Sequence, residues 1–120
     1  MQAYSLEGWM RRQYDDERSR EMEQLINEVA DVAAYRYAMR GHVECVRALG
    51  NFGQEAAIAV PDLIRCLRHR QPSVRRAAAV ALGRIGPKAE AAAPQLSTLR
   101  DDRSRPVREA VEEALNLISG

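Results

Sequence analysis

Two histidines, two cysteines and a run of arginines are the side chains in this sequence that could support chemistry. His42 precedes a predicted helix, and His69 lies in an arginine-rich turn. A zinc site needs three or four converging ligands, and we predict no metal site and no cofactor. Cys45 and Cys66 both lie in apolar helical context, so we expect buried thiols rather than redox groups. Since no catalytic base or glycine-rich phosphate loop is visible either, we predict a protein without enzymatic activity.

The arginines make the middle of the chain basic. Residues 61–88 contain seven basic side chains and one acid, Asp62. The flanking segments are acidic, because residues 1–33 have four basic and eight acidic side chains and residues 89–120 have four and six. The formal net charge is only +1, which argues against a protein that is basic throughout to bind nucleic acid. This distribution can guide an acidic partner or a second copy of the chain.

Length and composition favour a single small domain made of helices. The 120 residues are 46% hydrophobic, yet 19 of them are alanine and only six are Phe, Trp or Tyr. Alanine costs least in a helix and lets backbones approach closely, whereas a β-sandwich or barrel needs β-branched and aromatic residues. No apolar run approaches the roughly 20 residues that span a bilayer, and the N-terminus has no apolar signal core. We therefore expect an all-α cytoplasmic protein that does not enter a membrane.

A repeat of 33 residues runs through the later part of the chain. Shifting the sequence by 33 positions aligns Leu49 with Leu82 and Leu115. Other columns that match at this offset are Ala48, Ala81 and Ala114; Gly50 and Gly83; Pro61 and Pro94; and Val74-Arg75 and Val107-Arg108. Small, apolar, turn and charged residues all recur at one offset, which predicts an array of repeated structural units.

Each repeat is predicted to be a pair of helices. In the middle copy an apolar stripe with helical spacing runs over 74–85, and Ser73 is the expected N-cap. Gly86-Pro87 should end this helix, because glycine adopts left-handed conformations and proline cannot continue a helix. Pro94 is placed to begin the second helix, where its missing N–H costs nothing.

The middle copy resembles a known family of helical repeats. The stretch VRRAAAVALGRIGP at 74–87, followed by APQL at 93–96, resembles the bacterial HEAT repeat, in particular its phycobilisome-lyase-like variety. The resemblance covers about residues 41–120. It implies an α-α superhelix whose copies stack on one another, a fold that serves as a scaffold in many unrelated proteins.

The resemblance also implies a role for one arginine in each repeat. Arg75 and Arg108 match the family's arginine after an opening valine, which commonly pairs with an acid in the preceding inter-repeat turn. For Arg108 that acid would be Asp101 or Asp102, whereas the turn before Arg75 contains no acid. In the first copy Gly41-His42 replaces the Val-Arg pair.

We therefore predict an all-α fold in two parts, a non-repeat helical segment over 1–40 and a short HEAT-like solenoid over 41–120. The solenoid divides at about 41–73 and 74–106, followed by a half-repeat at 107–120. Because each repeat buries its apolar stripe by stacking on its neighbours, the last helix needs a cover. The N-terminal segment, a second chain or further repeats of a longer array could supply it.

The N-terminal segment is predicted to contain two amphipathic helices. The shorter begins at Ser5, and the longer covers about 16–40 and stops at Gly41. One interpretation is a cap over the first repeat, and the other is a docking arm with Trp9 and Tyr14 as interface anchors. A homodimer through 107–118 or through these N-terminal helices is a candidate assembly.

Outward positions on the second helices are the candidate partner-binding residues, because these helices line the concave side of such arrays. They are Asp62, Arg65, Arg68 and His69 in one repeat and Gln95 and Thr98 in the next. Arg65, Arg68 and His69 are expected to recognise an acidic or phosphorylated protein surface. The predicted function is thus a non-catalytic scaffold or adaptor for protein–protein interaction.

Two other functions stay open. The basic segment over 65–76 could contact the phosphates of a nucleic acid backbone, although no aromatic residue lies nearby to stack on a base. Chromophore handling in the manner of a bilin lyase is implied by the resemblance alone, which concerns the scaffold rather than a site.

Overall fold

The fold is built from helices throughout the part of the chain that can be described. The computed structural model describes the backbone of residues 6–120 and the side chains of residues 17–120, and it has no β-strand over 6–120. The α-helices are α1 (Leu6–Ala34), α2 (Arg40–Gly50), α3 (Val60–Cys66), α4 (Pro72–Ile85), α5 (Ala93–Thr98) and α6 (Arg105–Ser119). Short 3-10 helices cover Gly53–Ala59, Gly86–Ala92 and Leu99–Asp101. The prediction of an all-α fold is confirmed.

From α2 onward the helices stack as successive pairs. α2 and α3 form one pair, α4 and α5 form the next, and α6 packs against α4 as a further first helix. α4 contacts α2 on one side and α6 on the other, so it is the central element of the stack. The molecule measures 61 × 32 × 18 Å, and its smallest dimension fits two layers of helices that are each about 10 Å across.

Glycine lets the first helices of neighbouring pairs approach each other closely. A Cβ atom built on Gly50 would lie 2.8 Å from the Cα of Ala81, and one built on Gly83 would lie 3.0 Å from the Cα of Ala114. Each contact joins a glycine to the residue 31 positions later, so α2 meets α4 as α4 meets α6. Close backbone approach is therefore the physical reason for the column of glycines in the repeat.

A continuous aliphatic core lies between the first and second helices. Leu49 and Leu82 are fully buried, whereas Leu115, in the same column on the last helix, is half-buried. The other large side chains that are fully buried are Val29, Val32, Val46, Leu63, Leu67, Val74, Ile85, Leu96, Val107 and Val111. Since Val29 and Val32 belong to α1, the N-terminal helix shares the core of the first pair.

The N-terminal helix differs from the prediction of a short helix that begins at Ser5 and a longer one over about 16–40 that stops at Gly41. α1 is one continuous helix, and it already ends at Ala34. Gly41 lies inside the first turn of α2, where the N–H of Met39 is capped by Nδ1 of His42 at 2.9 Å. Periodicity could not show this break, because the connection over 35–39 is held by side chains that are distant in sequence.

His69 and Gln71 are the side chains that hold the connection. Nε2 of His69 donates to the carbonyl oxygen of Tyr35 at 2.6 Å. The side-chain amide of Gln71 hydrogen-bonds to both backbone groups of Ala38, donating to its carbonyl oxygen at 3.0 Å and accepting from its N–H. These bonds satisfy backbone groups that helix α1 would otherwise have used, so the helix stops before them.

α4 begins two residues earlier than the predicted Ser73 N-cap implies. Gln71 is the N-cap, with extended backbone at φ −85° and ψ 126°, and Pro72 is the first helical residue. Proline suits this position because its ring fixes φ and its missing N–H has no partner to lose. At the other end Gly86 has a φ of +78°, which confirms the predicted stop signal.

Candidate functional site

The two predicted contact arginines lie at α3: Arg65 is on the exposed side of the helix, and Arg68 lies just beyond its end. Arg65 is exposed, with its Nη1 3.7 Å from Oδ1 of the half-buried Asp62 one turn earlier. An exposed pair at this distance contributes little stability, so the Arg65 guanidinium stays accessible to a ligand. Arg68 is also exposed.

Arg68 connects this helix to the next repeat. Its Nε and Nη2 donate to Oε1 of Gln95 at 3.2 and 3.1 Å. Nε2 of Gln95 donates to Oγ1 of Thr98 at 3.2 Å, and the Thr98 hydroxyl donates to the Gln95 carbonyl oxygen at 2.6 Å. Because the acceptor is a neutral amide, this hydrogen bond does not neutralise the positive charge of Arg68. We call Asp62, Arg65, Arg68, Gln95 and Thr98 the second-helix surface.

His69 does not belong to this surface, contrary to the prediction. Its side chain is buried, with only 6% of the residue exposed. Nδ1 accepts a hydrogen bond from the N–H of Gln71 at 3.1 Å, so Nε2 carries the proton that is donated to Tyr35. Both ring nitrogens are therefore used inside the protein. Helical spacing predicted that His69 points outward. However, α3 ends at Cys66, and the His69 ring points toward the connection after α1.

Arg75, whose preceding turn contains no acid, has an acidic partner in the next inter-repeat turn. Its Nε and Nη2 donate to Oδ2 and Oδ1 of Asp102 at 2.9 and 3.0 Å. Its Nη1 donates to the carbonyl oxygens of His69 and Arg70 in the preceding turn, at 2.8 and 2.9 Å. One guanidinium thus joins the turns on both sides of the second pair.

Arg108 occupies the same position in the next repeat but does not bind the carboxylate that the resemblance implied. Its Nη1 donates to the carbonyl oxygens of Asp102 and Arg103 at 2.6 and 3.2 Å. The carboxylate of Asp102 is already bound to Arg75, and Asp101 is exposed. The expected pair of Arg108 with Asp101 or Asp102 is therefore wrong, although the arginine still binds the preceding turn.

The pKa of Asp102 reflects this arrangement. Burial raises the pKa of the carboxyl, but hydrogen bonds from Arg75 and from the N–H of Ser104, with the charges of Arg75 and Arg108, lower it. The result is a pKa below the ordinary value of 3.8. Asp102 is ionised at neutral pH, and its charge is neutralised inside the fold rather than offered to a partner.

The basic segment over 65–76 has an aromatic neighbour, which the prediction did not include. Tyr37 is 69% exposed. The guanidinium carbon of Arg70 lies 5.2 Å from the centroid of its ring, and that of Arg36 lies 5.8 Å away. His69 and Gln71 bring the two segments together, and the only signal in the sequence was the Tyr-Arg-Tyr stretch at 35–37, which carries no information on its neighbours.

The two cysteines are protonated thiols. Cys66 is fully buried, and burial followed by the negative charge of Asp62 raises the pKa of its thiol to about 12. Cys45 is only half-buried, which corrects the prediction, and its Sγ donates to Oε2 of Glu28 at 2.7 Å. Burial, this hydrogen bond and the charge of Glu28 raise the pKa of Cys45 to about 11. A thiol with so high a pKa is a poor nucleophile at neutral pH.

Among the residues with described side chains, no three His, Cys, Asp or Glu residues are placed to hold a metal ion. Along the same part of the chain, no helix combines the length and the apolar character that a bilayer crossing needs. Trp9 and Tyr14, the predicted anchors of a docking arm, lie outside the described side chains.

Stacked helix pairs, close glycine contacts between first helices and an arginine that binds each preceding turn define a helical-repeat protein. A family model for HEAT repeats matches residues 41–116, and the chain belongs to the HEAT-repeat family. Comparison with curated proteins gave no match, and comparison with solved structures gave none. HEAT repeats generally mediate protein–protein interaction, and the family is generally non-catalytic.

Proposed function

We propose that this protein is a non-catalytic scaffold that binds an acidic or phosphorylated protein on its second-helix surface. The observation that carries the proposal is the hydrogen-bonded series of Arg68, Gln95 and Thr98, which joins exposed side chains of two successive repeats. A site shared by two repeats has a defined shape only in the folded array, which is how solenoid proteins build extended binding surfaces.

The chemistry of the surface favours an anionic group. Arg65 and Arg68 are exposed and close to only one acid on α3, Asp62, which is itself half-buried. Guanidinium groups bind carboxylate and phosphate oxygens in a bidentate manner. Gln95 and Thr98 add an amide and a hydroxyl that can bind the polar backbone of a peptide.

A peptide array tests this proposal. Glutamate-rich and phosphoserine peptides would be probed with the wild type, with the double variant Arg65→Glu/Arg68→Glu, and with Lys88→Glu as the matched control. Lys88 is exposed in the connection between α4 and α5, so its variant has a charge reversal away from the surface. We expect anionic peptides to bind the wild type and the control and to lose at least about tenfold in affinity for the double variant. Equal binding by all three proteins, or by none, contradicts the proposal.

The proposed scaffold works in a reducing compartment. Cys45 and Cys66 are both free thiols, and free thiols are usual in the cytosol, where disulfides are rare. We therefore place the function in the cytoplasm.

Nucleic acid binding is a second candidate, because Tyr37 lies against Arg70 on the exposed edge of the basic segment. An exposed aromatic ring beside arginines is the arrangement on which proteins stack unpaired bases. Binding of a labelled mixed-sequence strand and of its duplex would be measured over a salt series, with Tyr37→Ala as the test variant. This candidate requires tight binding at low salt that falls steeply as salt is added, and a preference of the wild type for the single strand that Tyr37→Ala removes. No binding at low salt eliminates it.

A further inference from the structure

The first helices carry a second exposed face, on which opposite charges lie on neighbouring helices. On α4 the half-buried Val80 lies between two exposed arginines, Arg76 one turn before it and Arg84 one turn after it. The same three positions on α6 are Glu109, Glu113 and Leu117, all of them exposed. These six residues are the first-helix face, with a basic row on α4 and an acidic row on α6.

Shallow grooves run along both sides of the basic row. The groove between α4 and α2 has a volume of about 300 Å³, and the groove between α4 and α6 has about 150 Å³. Val80 and Arg84 line both grooves, and small residues such as Ala77, Gly83 and Ala114 lie below them. Side chains from another helical surface can therefore enter between the helices.

The charges on this face have little compensation inside the chain. Among the described side chains, Arg76 and Glu113 form no ion pair and no side-chain hydrogen bond. Arg84 donates to the neutral amide oxygen of Asn51 at 2.6 Å, and Glu109 is bound only to the exposed Arg105 on its own helix. A separate row of each sign remains available to an external partner.

We propose that the first-helix face binds a second copy of this chain about a two-fold axis that runs parallel to the helices, between α4 and α6. This rotation lays α4 of each copy over α6 of the other, in the same direction and at the same height. Arg76 of one copy then faces Glu109 of the other, Arg84 lies within one helical turn of Glu113, and the reciprocal contacts form at the same time. Val80 supplies apolar contact at the centre of this interface, and Leu117 supplies it at one end.

Charge selects this axis over the other two-fold arrangement of the same face. An axis perpendicular to the helices would lay α4 on α4 and α6 on α6 in antiparallel fashion. Arg76 would then meet Arg84, and Glu113 would meet Glu113 of the other copy, and like charges in contact oppose association. A foreign acidic helix would use the basic row alone, so the acidic row of α6 distinguishes a second copy from such a partner.

Charge reversal on each row provides the test. One variant has Arg76→Glu and Arg84→Glu, and the other has Glu109→Arg and Glu113→Arg. Size exclusion with light scattering should show a wild-type dimer and, for each variant alone, a dissociation constant at least about tenfold higher. An equimolar mixture of the two variants should form a heterodimer, because each row of one then faces the opposite charge on the other. Formation of this heterodimer would also show that both variants are folded.

Controls separate the dimer from the proposed scaffold function. Lys88→Glu and Arg65→Glu/Arg68→Glu change charge outside the first-helix face and should dimerise as the wild type does. The wild-type dimer should weaken at about 1 M salt, where the Debye length is about 3 Å. A wild type that is monomeric at about 1 mM, variants that dimerise unchanged, or a mixture that stays monomeric each overturns the proposal.

Discussion

Arg75 lies in the first turn of α4 and donates through Nε and Nη2 to the Asp102 carboxylate in the turn before α6, while its Nη1 binds the turn before α4. Its side chain is 14% exposed and that of Asp102 is 7% exposed, the lowest values for any ion pair among the described residues. The other ion pairs are largely at the surface, where solvent weakens them. This pair therefore has a structural role that the others lack, since removal of one partner leaves a buried charge unpaired.

We predict that Asp102→Asn lowers the free energy of unfolding by about 2–4 kcal/mol, because Arg75 then loses its charged acceptor inside the fold. The matched control is Asp101→Asn, the exposed neighbour, which should change stability by less than about 0.5 kcal/mol. Urea unfolding followed by circular dichroism measures both. Equal effects of the two substitutions would show that the pair contributes nothing specific.

The stabilising effect of Asp102 should also depend on pH. Its pKa is lower in the folded protein than its ordinary value of 3.8, so folding favours the ionised form. The stability difference between the wild type and Asp102→Asn is then fully present above the unfolded pKa. It should shrink as the pH falls below about 4 and through the folded pKa. Urea titrations of both proteins between about pH 7 and pH 3 test this, and a difference that is independent of pH would refute it.

At the scale of elements, the packing of α2 on α4 depends on the missing side chain of Gly50. The Cβ position of Gly50 lies 2.8 Å from a backbone atom of Ala81, so the two helices would have to separate to accept an alanine. Gly41 is in the same helix, but apart from its chain neighbours and the nearby backbone of that helix, no atom lies within 4 Å of its Cβ position. The two positions thus differ in the room that a side chain would have.

We predict that Gly50→Ala destabilises the protein by about 1–3 kcal/mol through overpacking. Gly41→Ala should be neutral or stabilising by up to about 1 kcal/mol, because alanine is the better helix former. Thermal and urea unfolding of both variants provide the comparison. If Gly50→Ala were as stable as Gly41→Ala, the close approach of α2 and α4 would not be required for folding.

For the whole molecule, stability follows from stacking of successive layers, because each pair buries its apolar stripe only against its neighbours. The leucine column shows the consequence. Leu82 lies in the central helix and is fully buried, whereas Leu115 lies on α6 and is half-buried. The same residue type at the same position of the repeat therefore has a different environment in each layer.

We predict that Leu82→Ala costs about 3–5 kcal/mol, since truncation in a closed layer leaves a cavity. Leu115→Ala should cost less than half of this amount, because that side chain is already partly in water. Leu49→Ala, in the fully buried first layer, should resemble Leu82→Ala. Urea midpoints at equal m-values would measure all three, and equal costs for Leu82 and Leu115 would contradict this description of the array.

The two proposed surfaces use different helices of the array. Dimerisation through the first-helix face would leave the second-helix surface of each copy exposed, because the two surfaces share no residue. The dimer would then present two equivalent anion-binding surfaces, and a partner with two acidic segments would gain affinity through linked binding.

Local sequence was sufficient to predict the repeated part of the fold. The 33-residue offset, the apolar stripe over 74–85 and the stop signal at Gly86 all concern contacts within one helix or between equivalent layers. Such contacts recur with the period of the chain, so aligned columns carry the information. The all-α array and its HEAT-repeat family could therefore be predicted without coordinates. The same columns matched Asp62 with Gln95 and Arg65 with Thr98 at equivalent outward positions of the two second helices.

Only the tertiary structure decided where the non-repeat segment meets the array. The end of α1 at Ala34, the burial of His69, and the contact of Tyr37 with Arg70 all depend on one junction between segments more than thirty residues apart. The partner of Arg75 was decided in the same way, since Asp102 approaches it only when the turns of neighbouring repeats are stacked. Contacts of this kind occur once in the chain and have no period, so the order of the residues alone does not reveal them.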